Sequence, residues 1–514
     1  MSAGERVAAA AALAGAEPAE SAVLGRWPRL AVLLAILLCS YAIALEATVV
    51  SAAIPTVIQG FGGLSDLSWV FSAYLIAQAV TMPLFGGASD RLGRKRCYAV
   101  AAALFFAGTL ACGLAWDLAS LVLFRVLQGV GAGGLITVGT AALNDIITQH
   151  QRGRYQALIN AVWGLAAVSG PVVGALVMQW LDWRYIFWIN LPIVLVSTAL
   201  LMLYHRGRPA AGGQGGEPEG GLALMPSLYL CAALLSAMVM LVHGQTLTRA
   251  QWMASAALLG VGALLLWQSQ RTGTAPLFPA GLLRLPIVPL AAGSAFLCGA
   301  VAMGATVYVP SFAALMLRAD TLAIGSTVGL MTLSWTCSGI AVGLLLQPGQ
   351  LRRAAIVASA LVLGGLLLLA AAAGQAGGMA VVLLACGLLG LGLGGCSVVF
   401  SVALQSLVGD AVRGSATSTF YLARMLGQAI GVALCGGVLA GSDAQARQLL
   451  RQQTDPAALA AELARGLGDG AALAASLRGG FVLLFALLAA LGLAHLWLAL
   501  RTPRAALPVS SPTT

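Results

Sequence analysis

Long apolar stretches follow one another along almost the whole chain, and short polar connections separate them. The hydrocarbon core of a bilayer is about 30 Å thick, and a helix needs roughly 20 apolar residues to cross it. Fourteen windows reach that length, so the pattern predicts fourteen transmembrane helices, spans 1 to 14. The windows are 29–51, 67–87, 97–116, 120–143, 157–179, 185–204, 222–243, 252–270, 288–310, 322–346, 353–373, 379–404, 415–440 and 479–500.

The composition agrees with lipid as the main solvent. Of the 514 residues, 60% are hydrophobic and 9% are charged, whereas soluble domains carry about 25% charged residues. These values exclude a soluble, secreted or disordered protein.

The net charge of +10 is spread over short loops, and nucleic-acid binding needs a clustered basic surface. The nine cysteines form no CxxC pair, so we expect packing residues and neither a disulfide framework nor a metal site.

Basic residues are distributed unevenly between alternate connections. With the first tail placed inside, eighteen Lys and Arg residues face the inside, seven face the outside and two lie within spans. Cytoplasmic loops carry the excess of positive charge, so we expect both termini in the cytoplasm.

The run Ala14-Gly15-Ala16 is typical of a signal-peptide cleavage site, but Glu17 and Glu20 follow it. We therefore expect a disordered tail there.

Acidic residues are almost excluded from the predicted spans. Of 17 Asp and Glu residues, only Glu46 lies well inside a span. Because a lone ionisable group is costly in hydrocarbon, it is a functional-site hypothesis by default. The alternative is a structural glutamate that is neutral or paired.

Arg125 in span 4 is the expected partner of Glu46. Spans 1 and 4 run in opposite directions, and both residues lie roughly 9 Å below the outer face. Gln128 follows Arg125 on the same helical face. Since a nearby arginine favours the ionised carboxylate and burial disfavours it, a change in their separation would bind or release a proton. The alternative is a fixed pair that only holds two helices together.

Arg424, near the middle of span 13, is the third buried charge. Tyr421 and Gln428 lie about one turn before and after it. Arg424 either faces an aqueous cavity and contacts an acidic part of a substrate, or donates to backbone carbonyl groups of a neighbouring helix.

The connection between spans 2 and 3 has a specific order, GGASDRLGRKR from Gly86 to Arg96. Its glycines allow a tight reversal, and Asp90 can accept hydrogen bonds from backbone N–H groups or from arginine. This order resembles the signature of the major facilitator superfamily between spans 2 and 3, with Ala88 where leucine is usual.

Other stretches carry the same resemblance. Residues 121–131 (LVLFRVLQGVG) are similar to the span-4 motif of the superfamily, and 169–174 (SGPVVG) to its span-5 antiporter motif, although Ala157 and Ala166 replace expected glycines upstream. Two more stretches resemble motifs of the fourteen-span drug:proton antiporters. They are residues 45–55 (LEATVVSAAIP) and 183–192 (WRYIFWINLP).

The resemblance implies an all-α polytopic membrane protein with the major facilitator fold. This fold has two six-helix lobes built from inverted repeats, and two extra central helices would bring the total to fourteen. The substrate would bind near the middle of the membrane, between the lobes. The implied divisions are a cytoplasmic tail 1–28, an N-terminal lobe 29–204, a cytoplasmic linker 205–221, two extra helices 222–270, a C-terminal lobe 271–500 with an external loop 441–478, and a cytoplasmic tail 501–514.

The resemblance also implies roles for particular residues. Glu46 and Arg125 match positions linked to proton coupling. The residues that match the cytoplasmic gate are Gly86, Asp90, Arg91, Gly93 and Arg94. Those that match the helix distortion associated with export are Gly170, Pro171 and Gly174. Candidate cavity residues are Tyr41, Thr48, Gln128, Trp163, Met303, Tyr308, Gln405 and Arg424.

Most aromatic and methionine side chains in membrane helices pack or meet lipid, which is the alternative for the cavity candidates. The pairs Gly129/Gly133 and Gly427/Gly431 are typical of helix contacts rather than of a site.

The expected function is proton-coupled export of lipophilic drugs or toxic small molecules across the cytoplasmic membrane by alternating access. A single cavity carboxylate suits a lipophilic monocation. The alternative on the same fold is a proton symporter or a lipid or metabolite carrier. No GxSxG, HExxH or phosphate-loop pattern occurs, so we expect no enzyme, no ATP-driven pump and no cofactor. We expect the protein to work as a monomer.

Overall fold

Helices dominate the computed structural model, and the residues that it describes contain no strand. It describes residues 26–61, 67–146, 152–205, 224–243, 247–272, 285–346, 349–374, 378–408, 410–452 and 468–502. The helices are α1 (Arg26–Phe61), α2 (Leu67–Leu92), α3 (Arg94–Gly113), α4 (Leu118–Ile146), α5 (Arg152–Trp180), α6 (Tyr185–Trp188), α7 (Asn190–Tyr204), α8 (Leu224–His243), α9 (Arg249–Thr272), α10 (Ile287–Met316), α11 (Thr321–Leu345), α12 (Leu351–Gly374), α13 (Met379–Leu407), α14 (Asp410–Gln452) and α15 (Gly468–Leu500).

Twelve stretches of the described residues are long and apolar enough to cross a membrane. They confirm an all-helical, multi-pass membrane protein. Helices α5 and α8 lie where spans 5 and 7 are predicted, but neither is among the twelve, and the apolar stretch of α8, Met225–Leu241, is shorter than the others. Residues 1–25, 206–223, 453–467 and 503–514 lie outside the described part of the chain, with most of the predicted tails and linker and the middle of the predicted external loop.

The first seven helices pack together. Helix α4 lies against both α2 and α3, and α1 contacts α5 and α7. Two glycines of α4 allow the close approach to α2: a Cβ atom at Gly129 would collide with the backbone of Tyr74, and one at Gly133 with the backbone of Gln78. The prediction that Gly129 and Gly133 form a helix contact is confirmed.

Helices α10 to α15 form a second group. Helix α10 packs against α14, while α13 contacts α11 and α12, and α15 contacts α12, α14 and α10. A Cβ atom at Gly427 would meet the backbone of Phe296 on α10, and one at Gly431 the backbone of Ala300. The predicted contact through Gly427 and Gly431 is therefore also confirmed.

The two groups meet along two seams. One seam is formed by α2 and α14, and the other by α5 and α11. Each seam joins the second helix of one group to the fifth helix of the other, as an approximate two-fold relation requires. The Ser72 hydroxyl donates to the Ala429 carbonyl across the first seam, at 3.2 Å, and Gly164 lies against Thr336 across the second.

Helices α8 and α9 form a hairpin on one side of this arrangement. Helix α8 packs against α2 and α14, whereas α9 packs against α8 and is otherwise exposed. The backbone of α8 at Leu241 approaches Gly437 of α14 so closely that a Cβ atom there would collide with it. The hairpin therefore lies along the α2–α14 seam, and the described residues place no counterpart along the α5–α11 seam.

The region of span 6 has an irregularity of one residue. It consists of the four-residue helix α6, the connecting residue Ile189, and α7, which begins at Asn190. Pro192 lies in the first turn of α7. Because proline has no backbone N–H, it cannot continue a hydrogen-bond ladder from the preceding helix, but it is tolerated in a first turn. Ile189 keeps helical dihedral angles (φ −60°, ψ −24°) and donates its N–H to the Tyr185 carbonyl, so α6 and α7 follow nearly one path.

Candidate functional site

The centre of the candidate site is an ion pair between Glu46 on α1 and Arg125 on α4. The Arg125 Nη1 atom donates to Glu46 Oε1 at 2.6 Å, and both side chains are buried. The structure thus confirms the pairing predicted from their equal depth. Removing one partner of a buried ion pair costs roughly 3–5 kcal/mol, because the other charge is then left uncompensated.

Asn190 completes the coordination of the carboxylate. Its Nδ2 atom donates to Glu46 Oε2 at 2.6 Å, and the residue is fully buried. Each carboxylate oxygen of Glu46 therefore accepts a hydrogen bond, one from a charged donor and one from a neutral donor. Sequence reasoning missed Asn190 as a site residue, although it lies within the 183–192 stretch.

Arg125 is held by groups other than Glu46. Its Nη1 atom also donates to Gln128 Oε1 at 2.7 Å, and its Nε atom donates to the Val70 carbonyl at 3.1 Å. The guanidinium carbon lies 4.2 Å from the ring centroid of Tyr74. These contacts fix the orientation of the guanidinium independently of the carboxylate.

Gln128 extends the network to α3. Its Nε2 atom donates to Thr109 Oγ1 at 3.0 Å, and Gln128 is fully buried. The predicted cavity residue Gln128 therefore uses its amide group within the first helix group. Thr109 was not anticipated from the sequence, since a threonine on an apolar helix carries no distinctive signal.

This arrangement responds to the charge of Glu46. An ionised carboxylate is acceptor-only and matches the donors of Arg125 and Asn190. A protonated carboxyl group donates one hydrogen and needs an acceptor for it, so the donors of Arg125 and Asn190 no longer both match it. Since the donors come from α4 and α7, proton uptake at Glu46 is geometrically linked to the packing of α1 against these helices.

The predicted gate connection is a one-residue break between α2 and α3. Gly93 has a φ of 89°, a value that favours glycine. The Arg94 Nη1 atom donates to Ser89 Oγ at 2.6 Å, and Ser89 donates to the Gly86 carbonyl at 2.8 Å. Arg94 Nε also approaches Asp145 Oδ2 on α4 at 3.4 Å. The ion pair ties the gate connection to the end of α4.

Asp145 was missed from the sequence, although an acidic residue near a strongly basic connection is a usable signal. Gly86 and Arg91 lie in the last two turns of α2, and the Arg91 side chain is exposed. The side chain of Asp90, the predicted acceptor, lies outside the described part of the chain.

His205 lies beside this gate, directly after α7. It is buried, and within the described part of the chain neither of its ring nitrogens has a hydrogen-bond partner. Burial lowers the pKa of His205; the carboxylate of Asp145 opposes the shift, and the positive charges of Lys95 and Arg94 add to it. The imidazole is therefore neutral at physiological pH.

The predicted antiporter motif packs against α1, close to Glu46 along the chain. A Cβ atom at Gly170 would collide with the Thr48 side chain. Thr48 Oγ1 in turn lies 3.3 Å from the Ala166 carbonyl of α5, and Gly174 is buried. The side chain of Pro171 lies outside the described residues. The motif thus sets how closely α5 approaches the helix that carries the carboxylate.

The remaining cavity candidates occupy different surroundings. The Tyr41 hydroxyl lies 2.8 Å from Ser169 Oγ on α5. Trp163, beside the α5–α11 seam, is 43% exposed. The guanidinium of Arg424 lies 4.9 Å from the ring centroid of Trp335 on α11.

Met303 and Tyr308 are buried within the second helix group, where the Tyr308 hydroxyl donates to the Val432 carbonyl at 3.4 Å. The side chain of Gln405 lies outside the described residues. The structure therefore brings Glu46, Arg125 and Gln128 together and leaves the other candidates dispersed.

Comparison with known sequences identifies a family. The profile described as Major Facilitator Superfamily matches residues 33–432. The chain is 25% identical over 400 residues to the multidrug transporter protein MdtP of Bacillus subtilis, which covers 77% of this chain and 72% of that protein. It is 37% identical over 182 residues to the efflux pump FUS6 of Gibberella moniliformis, which covers 35% of this chain and 32% of that protein.

Comparison with solved structures supports the same fold. A bacterial homolog to the human lysosomal transporter Spinster, in an inward-facing conformation, superposes with a TM-score of 0.61 at 15% sequence identity, covering 93% of this chain and 98% of that chain. The human organic anion transporter MFSD10 superposes with a TM-score of 0.57 at 16% identity, covering 92% of this chain and 98% of that chain.

Proposed function

We propose a function from one premise: the chain belongs to the major facilitator superfamily. It is accordingly a multi-pass membrane transporter of the secondary type and not an enzyme. We infer that it exports lipophilic small molecules, monocations in particular, in exchange for protons. Its relatives named as multidrug transporters and efflux pumps support the substrate class.

The observation that carries the proposal is the buried network of Glu46, Arg125 and Asn190. Glu46 is the one carboxylate well inside a predicted span, and its two oxygens are bonded to donors on two other helices. A charge at this position is costly in a membrane and points to a transport role. A proton that crosses a membrane potential of 100 mV supplies about 2.3 kcal/mol.

In the proposed cycle, Glu46 binds a proton from the outer side, and Arg125 loses its charged partner. The freed guanidinium keeps its bonds to Gln128 and the Val70 carbonyl, so α1 rather than α4 moves. The lobes then rock about the binding region between them, and Glu46 releases its proton on the cytoplasmic side. Substrate leaves in the opposite half of the cycle.

We further propose a fourteen-span protein in the cytoplasmic membrane, with both termini in the cytoplasm. The positions of α5 and α8 at the predicted spans 5 and 7 support this count. The fourteen-span drug:proton antiporter group is the corresponding subfamily. We propose that the protein functions as a monomer.

A dye-export measurement tests this function. Cells that express the protein should accumulate less ethidium than control cells, and a protonophore should abolish the difference. Glu46→Gln preserves the size of the side chain but removes the titratable group, so gradient-driven export should stop. Asp182→Asn is the matched control, since it neutralises a half-exposed carboxylate in a surface pair with Arg184; it should export normally.

Reconstituted vesicles settle the direction of coupling. With a proton gradient imposed, substrate should move against the proton flux in the native protein and not in Glu46→Gln. Substrate movement in the same direction as the protons would favour a symporter. Uphill transport at the native rate by Glu46→Gln would reject the role of the carboxylate.

A further inference from the structure

The second helix group contains a cluster that the proposed transport cycle does not use. Cys298 on α10, Cys396 on α13 and His495 on α15 are all buried, and their ligand atoms lie within 4.8 Å of one another. Cys298 Sγ is 3.2 Å from His495 Nε2. We propose that these three side chains form a binding site for a soft monovalent metal ion of the Cu(I) type.

Hydrogen bonds prepare the imidazole for this role. Ser359 on α12 donates its only hydrogen to the Ala355 carbonyl at 2.7 Å, and its Oγ lies 2.9 Å from His495 Nδ1. Ser359 therefore accepts from an N–H group at Nδ1. In the neutral ring this leaves Nε2 as an acceptor that faces Cys298 Sγ and lies 2.7 Å from the Ser294 hydroxyl, and a bound ion would take the place of that hydrogen bond. A second partner that orients the ring and fixes its tautomer is typical of histidines that bind metals.

The ligand set favours a soft ion. Two sulfur atoms and one imidazole nitrogen match Cu(I) or Zn²⁺, because thiolates select soft or borderline metals. Structural zinc is almost always four-coordinate, and the described residues supply three strong ligand atoms with no carboxylate among them. Ser294 Oγ, which is 2.7 Å from His495 Nε2, is a neutral hydroxyl. A three-coordinate ion fits these side chains better.

The charge balance also favours a monovalent ion. Two thiolates with Cu(I) carry a net charge of −1. Arg424 on α14 lies close enough to Cys298 to interact electrostatically, and the Arg424 backbone carbonyl packs against Gly299. Within the described residues no carboxylate forms a salt bridge with Arg424. The positive charge of Arg424 therefore balances a thiolate–Cu(I) site and would oppose an additional charge on a divalent one.

The experiment is a competitive Cu(I) titration of the purified full chain in detergent, without oxygen and against a chromogenic Cu(I) chelator. The native protein should retain one copper ion at chelator concentrations at which Cys298→Ser and Cys396→Ser retain at least tenfold less. Ser359→Ala removes the partner of Nδ1, together with the 3.8 Å contact between Ser359 Oγ and Cys396 Sγ, and should weaken binding by about 10–100-fold. Cys386→Ser is the matched control, because it removes a buried thiol of the same helix as Cys396; it should bind as the native protein does.

Gel filtration and thermal unfolding without metal establish that each variant is folded. If a serine variant does not fold, X-ray absorption spectroscopy of copper bound to the native protein identifies the ligands. Two sulfur ligands and one nitrogen ligand support the site, and a set of sulfur ligands alone overturns it. Equal retention by the native protein and both cysteine variants, or no copper that survives the chelator, also overturns the proposal. The test does not depend on transport, so its outcome is separate from that of the proposed function.

Discussion

Asn190 lies at the start of α7, on the helical path that continues from α6. Ile189, which precedes it, has helical dihedral angles (φ −60°, ψ −24°) and donates its N–H to the Tyr185 carbonyl, so the Asn190 amide reaches α1 as a side chain of a nearly continuous helix. The 2.6 Å contact with Glu46 Oε2 is the result. Pro192, two residues later, is compatible with this local structure because it occupies the first turn.

Asn190→Leu tests the contribution of this amide. The variant keeps the volume but leaves one oxygen of Glu46 without its donor, and a hydrogen bond to a charged group contributes about 1.5–3 kcal/mol. We expect a loss of proton-driven export of about tenfold or more. Ser197→Ala is the control: it removes equally buried hydrogen bonds of α7, to the Ala35 carbonyl at 2.7 Å and with the Tyr98 hydroxyl at 2.9 Å. It should lower thermal stability without uncoupling transport, and equal transport losses in both variants would contradict the assignment.

His205 gives a prediction about pH. Its pKa is lowered by burial in the fold, while an unfolded histidine protonates at about pH 6.5. Below that pH the unfolded chain holds more protons than the folded one, so stability falls as the pH falls. His205→Phe should therefore reduce the loss of melting temperature between about pH 7.5 and 5.5. The same acid-induced loss in both proteins would show that His205 does not contribute to it.

The sequence predicted part of the site for physical reasons. Glu46 and Arg125 could be paired because a charged side chain in an apolar window is conspicuous and depth along a helix is countable. Asn190 could not be placed, since a single uncharged amide within the apolar window 185–204 gives no signal of its partner. Cys298, Cys396 and His495 lie about a hundred residues apart, and no spacing along the chain signals that they meet.

At the scale of elements, every predicted window overlaps helical residues, but the boundaries differ and window 185–204 contains both α6 and α7. Span 1 was predicted at 29–51 and α1 extends from Arg26 to Phe61, while span 13 was predicted at 415–440 and α14 extends from Asp410 to Gln452. Hydropathy measures how much of a helix suits lipid. It does not detect where a helix continues past the apolar stretch, because helical hydrogen bonds form in water as well.

The contact between α10 and α14 depends on glycines. Gly431→Leu places bulk against the backbone of Ala300, and overpacking of this kind costs typically 1–3 kcal/mol or more. We expect a lower melting temperature in detergent and reduced amounts of folded protein. Gly260→Leu on α9 is the matched control, since a Cβ atom there meets nothing within 4 Å. Comparable destabilisation by the two substitutions would show that helix propensity, rather than packing, is responsible.

At the scale of the whole molecule, the two seams are related by symmetry but covered unequally. The α8–α9 hairpin lies along the α2–α14 seam, and the described residues place no equivalent hairpin along the α5–α11 seam. Alternating access requires the lobes to move relative to each other, so α8 has to slide on α2, on α14 or on both. Gly437, which allows the close contact with Leu241, favours α8 moving with α14 and sliding on α2.

Cross-linking across the covered seam tests whether it opens during transport. Cysteines at Ser72 and Ala429, joined by a short reducible cross-linker in a background with Cys337→Ser, should stop export until the linker is reduced. The control pair is Ser338 and Leu391, which make the same type of hydroxyl-to-carbonyl contact at 2.6 Å but within one lobe; its cross-link should leave export intact. Each cross-link joins one pair of neighbouring helices. A difference in export between the two cross-linked variants would therefore be due to relative motion of the lobes. Full export by the cross-linked Ser72 and Ala429 variant would mean that this seam stays closed throughout the cycle, and rocking of the lobes would then have to be abandoned as the transport mechanism.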